Sequence, residues 1–195
     1  NKSELIEVVF RLLLPLFSKM LKQKEDVSSL VQLAFTLLFI VSTTAAIASL
    51  FYGQDIMQML YKIHEQESGA AYLIRMQQTA EVFSILMFVY IATSTTYVFG
   101  TLLTANGNLK TLNKVAFFGM LISIVLNFSL IPLWNATGSA YASLSAQMIT
   151  AILQVFIAFR IIGIKISRAY WMRLGLFALI VSLATLGSNY INADW

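Results

Sequence analysis

The sequence predicts an all-α fold, a polytopic membrane bundle of about six transmembrane helices. Three observations predict it. The chain of 195 residues is 58% hydrophobic and only 11% charged, with a mean hydropathy of +0.77, whereas a soluble domain carries charge on about a quarter of its residues. Five stretches, 30–52, 82–104, 115–134, 138–159 and 174–193, contain no Asp, Glu, Lys or Arg, and each approaches the roughly 20 apolar residues that cross a bilayer as a helix. Finally, the cations fall on one side of that threading. Alternate connections hold Lys19, Lys22, Lys24, Lys110, Lys114, Arg160, Lys165, Arg168 and Arg173, and the opposite side holds only Lys2, Lys62 and Arg75. The basic side is expected in the cytoplasm. Strands are excluded because no period-2 alternation of the barrel kind is present, and an unclosed sheet cannot satisfy its backbone in lipid.

The first helix is expected over 4–20. It is the shortest, with Pro15 near its far end as a kink site, and Glu7 and Arg11 are spaced to pair on one face. A hydrophilic loop over 21–29 follows. The second helix, 30–52, should stop at Tyr52-Gly53, an interface aromatic followed by a helix terminator. In 54–66, Ile56, Met59, Leu60 and Ile63 recur at helical spacing, which predicts an amphipathic segment on the membrane surface. The third helix is expected over 70–104, with 82–104 in the membrane. Gly107 would stop it, and Lys110 and Lys114 in the connection 105–114 would meet anionic headgroups. Helices over 115–134 and 138–162 are joined by so short a turn, Asn135-Ala136-Thr137, that they must pack antiparallel. Gly138, Ala142 and Ala146 give the latter a face for close backbone approach. The loop 160–173 leads to a last helix over 172–192. Loops 21–29, 105–114 and 160–173 are the cytoplasmic ones. The chain opens at Asn1, inside an apolar helix, with neither an initiator Met nor a signal-peptide pattern, which predicts a fragment of a longer protein.

Several chemistries are excluded. There is no cysteine, hence no disulfide or thiolate metal site. His64, the single histidine, has no second His or Cys to share a metal. Gly100 and Gly107 do not make a phosphate loop, since the Gly-Lys-[Ser/Thr] ending is missing. No nucleophile–base set is present, so no enzyme activity and no cofactor are assigned. The net charge of +4 is spread over loops between apolar spans, which does not suggest nucleic acid as a partner.

The stretch 100–147 carries a resemblance. It reads G-T-L-L-T-A-N-G-N-L-K, then L-N-F-S-L-I-P, then G-S-A-Y-A-S. The pattern resembles the C-terminal half of polysaccharide or O-antigen flippases of the multidrug/oligosaccharidyl-lipid/polysaccharide exporter superfamily, and lipid II flippases share it more loosely. The likeness extends, less sharply, over 5–162. It implies that the chain is one lobe of a two-lobed transporter, with the N-terminal lobe of the same polypeptide as its missing partner. It further implies a cargo of undecaprenyl-pyrophosphate-linked oligosaccharide, moved from the cytoplasmic to the periplasmic leaflet of the bacterial inner membrane for polysaccharide or lipopolysaccharide biosynthesis. A multidrug or cation antiporter of the same superfamily is one alternative. A non-transporting membrane scaffold is another.

Intramembrane polar residues are the site candidates. Arg11 either faces a central cavity and attracts a pyrophosphate or acidic sugar, or pairs with Glu7 or snorkels. Glu4 and Glu7 are candidates for a coupling proton or sodium ion. Ser143, Gln147, Thr150 and Gln154 share one helical face, which lines either a watery cavity or a helix contact. Asn127 has the same two readings. Besides cargo and its own lobe, the expected partners are membrane lipids.

Overall fold

The computed structural model describes residues 13–63 and 68–193, with side chains to 188. Among them are helices and no strands. The helices are α1 over 13–22, α2 Ser28–Leu60, α3 Gly69–Ala105, α4 Leu109–Ile162 and α5 Arg168–Ala193. The last four are long and apolar enough to cross a membrane. Glu4, Glu7, Arg11 and His64 lie outside the described residues.

A straight helix of 54 residues would be about 80 Å long, against a hydrocarbon thickness of about 30 Å. The chain resolves this by breaking α4 at Asn135, with φ 50° and ψ −124°, three residues after Pro132. The two arms, 109–134 and 136–162, fold back on each other. Ser139 Oγ donates to Asn127 Oδ1 at 3.1 Å. A Cβ on Gly138 would run into the Leu130 carbonyl, and one on Gly119 into Thr150. Counting the arms separately, six helical segments are present among the described residues.

The second helix differs from expectation. It passes through Tyr52-Gly53 and ends at Leu60. Gly53 has no positive φ and terminates nothing. It marks instead where α2 touches α3, since a Cβ there would come within 3.1 Å of Ser84 Oγ and 3.6 Å of the Ala80 methyl. One turn earlier, Ser84 Oγ donates across the interface to the Ser49 carbonyl at 2.7 Å. The expected surface segment 54–66 is likewise corrected, because 54–60 form the last turns of α2. Met57, rather than Met59, faces α3 and packs on Met76 and Ala80. Met59 is 91% exposed.

Helix ends follow local chemistry. Ser68 accepts from the Ala71 amide and caps α3. At the other end Asn108 N–H reaches the Leu103 carbonyl and Gly107 N–H the Thr104 carbonyl, with Gly107 at φ 79°. This is the left-handed termination that glycine favours, as the sequence predicts. Gly163, at φ 72°, does the same for α4, its N–H reaching Phe159 O.

The main core sits at the basic end. Phe17 of α1, Val31 and Phe35 of α2, Phe99 and Leu102 of α3, Ala158 of α4, Ile164 of the connection and Leu174 of α5 are buried together. Phe35 meets Phe39, Phe99 and Trp171, and Phe99 meets Phe159, at ring separations of 5.5 to 6.3 Å. In lipid this packing, rather than exclusion of water, drives helix association.

Candidate functional site: polar groups inside the bundle

Hydrogen bonds and close approaches set the order of helices. The first arm of α4 meets the second at Gly119 and Thr150, and the second arm meets α3 where Gln154 lies over Gly100. Next, α3 meets α2 through Ser84 and Ser49. Finally, α2 meets α5, where Tyr170 Oη lies 2.8 Å from Thr36 Oγ1 and donates to the Gln32 carbonyl at 3.1 Å.

The predicted site residues do not converge. Asn127 spends its amide inside the α4 hairpin. Its Nδ2 donates to the Ser123 carbonyl at 2.8 Å and its Oδ1 accepts from Ser139. Ser143 is half-buried and Gln147 is exposed. Thr150 bonds back to the Ala146 carbonyl at 2.8 Å and abuts Gly119. Gln154 is 2% exposed, enclosed between the second arm of α4 and α3. Thus Thr150 and Gln154 sit in helix contacts, and Gln147 points away from both. A shallow cavity of about 390 Å³ lies along the first arm of α4, lined by Ser123, Ile124, Asn127, Phe128, Ile131 and Pro132. One helix supplies every wall, so it is a groove in the flank of the bundle.

Three buried oxygens have no partner among the described residues: Thr43 Oγ1, Thr96 Oγ1 and Gln154 Oε1. Leaving such a group unpaired costs about 1–3 kcal/mol. Sequence reasoning singled out Gln154 but not its position over Gly100, and it gave Thr43 no attention. The signal available was Gly100 itself, although a glycine does not announce which helix comes near it.

The basic end is tied together by its connections. Asp26 Oδ1 accepts from Ser28 N–H at 2.9 Å at the start of α2, and Ser28 Oγ accepts from Lys165 N–H at 2.9 Å. The Ser28 hydrogen bonds, aided by the Lys165 charge, hold the Asp26 carboxyl below its ordinary pKa. All nine cations of this end are exposed. No group of three or more His, Cys, Asp or Glu suited to a metal occurs among the described residues.

The family model of the lipid II flippase MurJ matches residues 5–195. The chain belongs to the MurJ lipid II flippase family. No curated protein and no solved structure matches it significantly. MurJ-family proteins are transporters of lipid-linked precursors rather than enzymes, and the apolar helices make this chain a multi-pass integral membrane protein. The superfamily implied by the 100–147 motifs is thereby supported. Within it, the matching model is that of the lipid II flippases.

Proposed function

We propose that this chain is part of a transporter that moves lipid II, a glycan precursor on a polyprenyl-pyrophosphate carrier, from the cytoplasmic to the outer leaflet of the bacterial inner membrane. The family match over 5–195 carries this reading. The fold supports it: the Lys and Arg of the helix ends and connections near 19–24, 110–114 and 160–173 gather at one end of an apolar bundle, and that end belongs in the cytoplasm, where the precursor is made. The segments 21–29, 105–114 and 160–173, which comprise three short connections and the helix ends beside them, are assigned there. The bundle acts as one lobe that rocks against another of the same polypeptide, opening the cargo path to each side in turn. Arg11 is the proposed contact for the pyrophosphate, through the paired N–H groups of its guanidinium, and Glu4 and Glu7 are proposed to bind a coupling ion. Asn127 is better read as a hairpin staple than as a cargo ligand, since both ends of its amide are bonded within α4.

The motif G-T-L-L-x-A-x-G-x-x-K favours a second reading, in which the cargo is an undecaprenyl-pyrophosphate oligosaccharide of the O-antigen kind. Reconstitution separates the two. Proteoliposomes holding the full-length protein should carry fluorescent lipid II across the bilayer, and an oligosaccharide carried on the same pyrophosphate but lacking the peptide should compete poorly. Transport of the oligosaccharide alone would move the assignment to the second reading, and transport of neither would remove both.

A further inference from the structure

Hydroxyls on apolar helices ordinarily bond back to their own helix. Here Thr95 reaches the Ile91 carbonyl, Thr104 that of Gly100 and Thr150 that of Ala146. Thr96 breaks this pattern, since its Oγ1 is buried and unbonded. A second unbonded oxygen, Gln154 Oε1, lies at the contact between the second arm of α4 and α3, over Gly100. The two are chemical complements, because a hydroxyl can donate and an amide oxygen accepts. They are also near in register. Gln154 Oε1 would stand 3.1 Å from a Cβ on Gly100, and Thr96 precedes Gly100 by one turn on the same face of α3.

We propose that Thr96 and Gln154 are a positioning pair for transport, unbonded in the arrangement described above and bonded to each other in the opposite arrangement of the lobe. The absence of a side chain at Gly100 leaves the amide free to travel along α3. A slide of at most one helical turn, about 5.4 Å, closes the pair. Each state then holds what the other lacks: here Gln154 sits tightly over Gly100 at the cost of two unbonded oxygens, and there the oxygens are bonded and the Gly100 contact is given up. Such an interface has two discrete settings, which a rocking bundle requires. The inference rests on the flippase reading for its purpose but not for its test.

Nitroxides at Tyr97 and Phe156, both exposed, report the α3–α4 separation in the full-length protein in lipid without any cargo. These 195 residues hold no cysteine, and any cysteine elsewhere in the protein is first replaced by serine. Two distance populations are expected in the otherwise unaltered protein, and one in a Thr96→Val/Gln154→Leu background. A single population in both would overturn the pair. Lipid II flipping by the unlabelled variants gives the second arm. Thr96→Val and Gln154→Leu should each slow it several-fold, and the double variant no further than the slower single. Losses that multiply, or rates equal to the parent in both singles, would also overturn it. Thr96→Val changes shape least and carries the test alone should Gln154→Leu fail to fold. Should the parent flip no lipid II yet show two populations, the functional reading falls and the pair stands; the reverse result removes the pair only.

Discussion

Asn127 and Gln154 carry the same amide group, and their surroundings use it in opposite ways. Asn127 has donor and acceptor bonded within the α4 hairpin, whereas the Gln154 oxygen is sealed in without a partner. Residue type and spacing put both on the candidate list, but neither could tell a staple from an orphan, because that depends on the facing residue. Arg11 raises the same question of what it faces. Charge-assisted hydrogen bonds are worth about 1.5–3 kcal/mol, so Arg11→Ala should lower lipid II flipping by roughly ten- to a hundred-fold while the protein still folds, and Arg11→Lys should recover only part. Normal flipping by Arg11→Ala would take Arg11 out of the mechanism. Asp26 gives a pH dependence with a definite sign. Its carboxyl is held below the ordinary value in the folded protein, so the stability it contributes is fully present above the unfolded pKa of about 3.9. That stability fades as pH falls through the lower folded value. Melting curves from pH 6 downward should therefore lose less stability in Asp26→Asn than in the parent over that acid window. Parallel losses would show that the bonds to Ser28 contribute nothing.

At the scale of helices, what could be read from the chain was whatever depends on local composition. Uncharged spans of membrane length and the glycine stop at Gly107 are present. The arms of α4 fold back on each other as expected, although the break is confined to Asn135, and Ala136 and Thr137 are helical. What could not be read was the role of a glycine that faces another helix. Gly53 looked like a terminator because it follows the interface aromatic Tyr52 at the end of an apolar span, yet it lies where α2 meets Ala80 and Ser84. The rule that fails is local propensity, and what overrides it is packing between helices. The α4 hairpin tests this directly. Gly138→Ala would drive a methyl into the Leu130 backbone, which cannot rotate away as a side chain would. A loss of roughly 1–3 kcal/mol follows, seen as a lower melting temperature in detergent. Asn135 holds φ 50° and ψ −124°, a sparsely populated region where a residue other than glycine costs about 1–3 kcal/mol, so Asn135→Gly should be neutral or stabilising. A stable Gly138→Ala protein would show that the arms are not in contact there.

Among the described residues the four long helices form a row, from the first arm of α4 through its second arm, α3 and α2 to α5, with α1 and the aromatic core closing the basic end. The middle of the row is buried and its edges are not. In their most apolar windows 39% of α2 and 28% of α3 residues are buried, against 6% for α4 and 6% for α5. Side chains such as Phe117, Phe118 and Phe128 on the edge are exposed and apolar, which suits contact with lipid. Several polar groups, Ser49, Ser84, Thr150 and Gln154 among them, lie in the seams between helices, where a displacement changes their neighbours. This arrangement is compatible with the proposed lobe and its sliding pair, and family membership ties the chain to the movement of lipid-linked precursors. The direct test is the amount of lipid II on the outer leaflet of cells in which the full-length protein can be depleted, read by an added enzyme that cleaves lipid II only from outside. A fall in cleavable lipid II on depletion, with the precursor accumulating inside, is the predicted result; an unchanged outer pool in cells with no other lipid II transporter would contradict it.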